Sequence, residues 1–94
     1  MDDSETITGI SKALSDPTRL KIVRLLAETT HPICVNAITQ QLSVSQSAVS
    51  QHLRVLKQAG LAEGNRYGFH VHYTINREGL QRYRTALEGL MGEA

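Results

Sequence analysis

Residues 43–60, SVSQSAVSQHLRVLKQAG, decide how this chain is read. Val49, Leu53 and Leu56 recur at spacings of four and three, one stripe of a 3.6-residue helix, while Gln46, Ser47, Ser50, Gln51, Arg54 and Lys57 take the other side. One face packs and the other faces a partner. Ser45 is suited to cap the helix by accepting from the N–H groups of its first turn, and Gly60 to end it in the left-handed conformation. From residue 45 to residue 60 there is no Asp or Glu, against two basic residues and three glutamines. Solvated faces normally mix both signs. Gln can bond adenine bidentately and Arg can do the same for guanine, so this set of side chains suits a DNA major groove flanked by phosphates.

Outward from this stretch, the 94 residues amount to one domain, near the small end of what buries a core without metals, disulfides or a second subunit. Dimerisation would add burial. The single cysteine, Cys34, excludes an internal disulfide and fits a reducing cytosol. No apolar run is long enough to span a bilayer, and MDDSET is acidic where a signal peptide is basic, so a cytoplasmic protein without a membrane partner is expected. Net charge is only +1, but its distribution is uneven. Residues 1–16 carry Asp2, Asp3, Glu5 and Asp16 against Lys12. Residues 45–84 carry Arg54, Lys57, Arg66, Arg77, Arg82 and Arg84 against Glu63 and Glu78. Basic charge gathers around the reading helix.

Taken in order, Ile7, Ile10 and Leu14 mark a short amphipathic helix over about 5–14, whose apolar stripe needs a cover. Asp16 then caps a second helix with Pro17 at its first position, where a missing N–H costs nothing. Leu20, Val23, Leu26 and Ala27 give that helix a packed face, widened by Ile22 and Leu25. Residues 29–32 read as a loop, and Val35, Ile38 and Leu42 as a third, short helix. Only residues 43–45 separate it from the long fourth helix, the proportions of a helix-turn-helix without the usual turn glycine.

Beyond Gly60 the period changes from 3.6 to 2. Leu61 leads into a strand that turns over residues 65–69, and Val71, Tyr73 and Ile75 alternate with His70, His72 and Thr74 on the way back, a hairpin with one buried face. Asn76 caps a last helix over about 77–91, in which Leu80, Tyr83, Leu87 and Leu90 recur with Ala86 and Met91. The expected fold is mainly α with a small β-hairpin: five helices and a two-stranded wing.

This order of elements, with the runs DPTRLKIVRLL (16–26) and SQSAVSQHLRVLKQAGLAE (45–63), resembles the ArsR/SmtB family of bacterial transcription repressors over nearly the whole chain. The resemblance implies a winged helix-turn-helix, a homodimer formed by the first and last helices, and a pseudo-palindromic DNA operator bound until an inducer releases it. It gives Ile7, Ile10, Leu14, Leu80, Tyr83, Leu87 and Leu90 to the dimer interface. Ser45, Gln46, Ser47, Ser50, Gln51, Arg54 and Lys57 would contact bases and phosphates, and Arg66, Tyr67 and Gly68 would form the wing tip. His52 matches a histidine usual in this family's HL pair, on the flank of the helix, where it would bond a phosphate or the neighbouring helix. The sensing chemistry departs from the family: ICVNAI supplies Cys34 and then Asn36 in place of a Cys-x-Cys pair, and residues 76–94 hold no His or Asp. Neither of the family's common metal sites is complete, so no metal and no cofactor is expected.

Blander and sharper readings compete at three places. Cys34, at or just before the start of the third helix, reads first as a small, partly buried residue and second as a redox or electrophile sensor. His70 and His72 share a strand face, but a zinc site needs a third ligand, offered only by His31 or a partner subunit. Ser50 and His52 are two apart on a helix and do not face each other, so no enzyme is expected. The alternative to a DNA-binding repressor is a winged helix used as a protein-interaction module. Against it stands the acid-free reading face, which a protein partner does not require.

Overall fold

The computed structural model describes residues 3–92. In chain order its elements are α1 (Asp3–Leu14), α2 (Pro17–Glu28), β1 (Ile33–Cys34), α3 (Val35–Leu42), α4 (Gln46–Gln58), β2 (Ala62–Tyr67), β3 (His70–Ile75) and α5 (Arg77–Met91). The five helices stand where the apolar periodicity puts them, with α1 starting two residues early.

The sheet departs from expectation. It has three antiparallel strands in the order β1-β3-β2, because Ile33 and Cys34 pair with Tyr73 and His72 across the inner edge of the wing. A two-residue strand has too little pattern to be read from sequence, and its position beside Pro32 reads as loop. The wing is also longer than expected: β2 runs to Tyr67, paired with His70, so only Gly68 and Phe69 make the turn. Gly68 takes φ +65 at the first turn position, as a tight hairpin of this kind demands.

Helix ends are fixed by local chemistry. The Asp16 carboxylate accepts from the N–H groups of Thr18 (2.8 Å) and Arg19 (3.0 Å), and Pro17 follows at the first position. These bonds, led by that from Arg19, together with the nearby Arg19 guanidinium, hold the Asp16 carboxyl below its ordinary value of 3.8 against a smaller desolvation cost. A carboxyl lowered on folding contributes stability that is present above its unfolded value and lost as pH falls through the folded one. The stability difference between the wild type and Asp16→Asn, read by thermal unfolding, should therefore shrink from neutral pH to below 3.8. Equal differences across that range would contradict it.

Ser45 caps α4 through Ala48 (3.2 Å), and Asn76 caps α5 through Gly79 (3.1 Å). The glycine missing between α3 and α4 is replaced by Ser43, which itself adopts the left-handed conformation at φ 54. At the far end of α4, Gly60 N–H returns to Lys57 and Leu61 N–H to Leu56, the paired bonds of a Schellman motif with Gly60 at φ +78.

Ile22, Val23 and Leu26 of α2, Ile33 of β1, Ile38 of α3, Val49, Leu53 and Leu56 of α4, and Leu61 with Ala62 form one core with Ile10 and Ala13 of α1. Leu20, expected on the packed face of α2, is 39% exposed, since Ile22 takes the inward position instead. Ile10 is only 4% exposed and packs within its own chain. It therefore has no surface left to bury against a partner, unlike Ile7, Leu14, Leu80, Tyr83 and Leu87, which are half-buried, and Leu90, which is 70% exposed.

Candidate nucleic-acid interface

The recognition surface starts from how α4 is held. Val49, Leu53 and Leu56 are at most 1% exposed, so this face of the helix is anchored in the core and cannot rotate without opening it. Rotation is then fixed for the opposite face, where Gln46, Ser47, Ser50, Gln51, Arg54 and Lys57 are all exposed, with Ser45 at the helix start. No acidic residue interrupts them. The N-terminus of α4, with its free N–H groups, lies at the same end as Gln46, Ser47 and Ser50, which suits contact with a phosphate.

Beside this helix stands the wing. Asn65 and Tyr67 on β2 lie opposite His72 and His70 on β3 and so share one sheet face, along which the rings of Tyr67 and His72 approach with centroids 5.0 Å apart. Arg66 lies on the other face, opposite Val71. Both Arg66 and Tyr67 are exposed, as expected of a wing tip, and at its apex Phe69 is 98% exposed. Sequence reading counted Phe69 only within the turn. The two-residue turn is what lifts it into solvent.

The remaining candidates are distributed as follows. Cys34 is half-buried at the N-cap of α3 and makes no side-chain capping bond. With Gln46, Ser50, Phe69 and His70 it borders a groove of about 290 Å³ between α3, the recognition helix and the wing. Among the described residues no three His, Cys, Asp or Glu side chains come together in a metal-binding group, and His31 is exposed. His52 is half-buried, and its partner is on a neighbouring helix: its Nδ1 lies 3.3 Å from an Arg19 nitrogen on α2. Arg19 was not singled out from sequence. Its partner lies 33 residues away, and no local pattern connects the two.

The helices expected to dimerise pack on each other within the chain, where the Ser11 and Tyr83 hydroxyls hydrogen-bond at 2.8 Å. At the free end of α5, Leu90 and Met91 are 70% and 76% exposed, and Leu87 beside them is half-buried. No helix of the described residues is long and apolar enough to cross a membrane.

Comparison with known proteins agrees with this geometry. The family model described as "Bacterial regulatory protein, arsR family" matches residues 16–63, the span from the cap of α2 into β2. The transcriptional repressor SdpR of Bacillus subtilis is 35% identical over 75 residues, covering 80% of this chain and 81% of that protein. Among solved structures, an ArsR-like transcriptional regulator from Rhodococcus sp. RHA1 superposes with a TM-score of 0.81 at 26% identity, covering 93% of this chain and 80% of that one. The homodimeric winged helix-turn-helix DNA-binding domain of Mb0332 from Mycobacterium bovis superposes with a TM-score of 0.71 at 29% identity, covering 95% and 85%. The anchored helix and the wing beside it are thus parts of a shared architecture, and the chain belongs to the arsR family of bacterial regulatory proteins as a winged-helix transcription regulator.

Proposed function

We propose that the protein is a cytoplasmic homodimeric repressor that binds a pseudo-palindromic operator by laying α4 of each subunit in successive major grooves, and that a signal entering elsewhere releases it. The observation that carries this reading is the exposed face of α4, where two basic residues, three glutamines and two serines stand without one carboxylate. Gln46, Ser47, Ser50, Gln51 and Arg54 are the base- and phosphate-contacting set, with Ser45 and Lys57 at its ends, and Arg66 and Tyr67 of the wing touch phosphate or minor groove. The subunits join through α1 and α5, where Ile7, Leu14, Leu87 and Leu90 supply uncovered apolar surface. The homodimeric Mycobacterium bovis relative and the repressor from Bacillus subtilis both support this assembly and role.

Contacts of the two kinds respond differently to mutation. Gln51→Ala is expected to relax discrimination at one or two base pairs by about 1–3 kcal/mol each. Arg66→Ala should weaken binding to all sequences and reduce the slope of log affinity against log salt by about 1. Both are read by titrating fluorescent DNA from the gene's own upstream region, with single-base variants, at several salt concentrations. Affinity that does not change with salt, or an upstream fragment bound no better than random DNA, would remove the repressor reading.

A further inference from the structure

A single guanidinium lies between the end of α1, the start of α2 and the recognition helix. Arg19 donates from Nε to the carbonyl oxygen of Ala13 at 2.6 Å and from Nη2 to that of Lys12 at 3.5 Å, both in the last turn of α1. Its Nη1 lies 3.3 Å from His52 Nδ1 on α4 and 4.0 Å from an Asp16 oxygen. The side chain is 17% exposed, so these contacts are largely screened from water. Positive charge at the C-terminal end of α1 is also where the helix dipole favours it.

The chemistry of this contact settles a proton position. Arginine has five N–H donors and no acceptor, so a hydrogen bond from Nη1 to His52 Nδ1 requires that nitrogen to be the accepting, unprotonated one. The neutral ring then carries its proton on Nε2, at the opposite corner of the imidazole. His52 adjoins Gln51 and is only half-buried, so the residue stands on the flank of the acid-free face.

We propose that Arg19 is a positioning residue for DNA binding: it fixes His52 as the Nε2–H tautomer, which donates to an operator phosphate, and it ties the recognition helix to the end of α1. This rests on the repressor reading above. In the dimer, α1 and α5 meet the partner, so the Arg19–His52 link makes the pose of each α4 depend on how the subunits pair. A phosphate held by His52 reinforces the same contact, because drawing the Nε2 proton outward makes Nδ1 a better acceptor for Arg19.

The test has one readout without DNA and one with it. Two-dimensional ¹⁵N NMR of the imidazole in the free wild-type protein should show His52 protonated on Nε2, and Arg19→Met should convert it to a mixture of tautomers. Arg19→Lys keeps the charge but cannot reach both α1 and the imidazole, and should give the same mixture even if the Met variant folds poorly. Arg19→Met and His52→Leu are each expected to lower operator affinity on the order of tenfold, and the double variant no further, as for residues acting through one contact. His52→Gln, which can accept from Arg19 and donate outward, should retain most of the affinity. A proton on Nδ1 in the wild type, or losses that multiply in the double variant, would overturn the proposal. If the tautomer is as stated but the wild-type protein binds no operator, the phosphate contact falls together with the repressor reading, and the joint between α1 and α4 stands by itself.

Discussion

Leu53→Ala is expected to destabilise the protein by about 2–5 kcal/mol, the cost of lost burial plus the cavity left behind. Leu53 is 1% exposed and lies between Val49 and Leu56 on the inward stripe of α4, within the cluster that joins α2, α3 and β1. A domain of this size has only about 5–15 kcal/mol in total, so the variant would lose a large share of its stability, which denaturant unfolding would measure as a lower midpoint at unchanged slope. DNA binding should suffer beyond the unfolded fraction, because the same three residues set the rotation of the reading face. A loss below about 1 kcal/mol would show that α4 is not anchored through this stripe.

Gly79→Ala is the second, with an expected loss of about 3 kcal/mol from overpacking. Glycine within a helix is ordinarily weaker than alanine by about 1 kcal/mol, so the usual expectation has the opposite sign. Here a Cβ at residue 79 would run into the carbonyl oxygen of Gly60, the residue whose left-handed conformation ends α4. Backbone meets backbone at this point, and no side chain can swing aside. The start of α5 is seated directly on the end of the recognition helix, held there also by the bond from Asn76 N–H to the Leu61 carbonyl (2.9 Å). Thermal unfolding of the variant, compared with Gly9→Ala, where a Cβ meets nothing within 4 Å, separates the clash from the general effect of replacing glycine. A stabilised Gly79→Ala would mean that the two helices do not touch as closely as described.

These two residues also mark what could be read from the sequence. Leu53 was legible because its periodicity with Val49 and Leu56 is local, and the same holds for the caps at Asp16, Ser45 and Asn76. Gly79 was silent, since a glycine shows no reason for itself until Gly60 is placed against it. The third strand was missed for a related cause: Ile33 and Cys34 are extended only because β3 offers them partners 40 and 38 positions along the chain. The outward set on α4 follows from periodicity once the inward stripe is known. Arg19, in contrast, sits in a run that was noticed for its likeness to a family, while the contact with His52 depends on how α2 crosses α4. Ile10 was misplaced for the same reason, since periodicity marks an apolar face without saying which neighbour covers it.

The central claim is that two recognition helices, one per subunit, read one operator together. Footprinting the protein on its best-bound genomic fragment, with the stoichiometry determined by titration, tests it most directly. Two protected blocks on one face of the duplex are predicted, related by approximate two-fold symmetry and separated by about 10 bp or a small multiple, with two chains bound per site. A single block bound by one chain, or uniform protection without a preferred site, would contradict it.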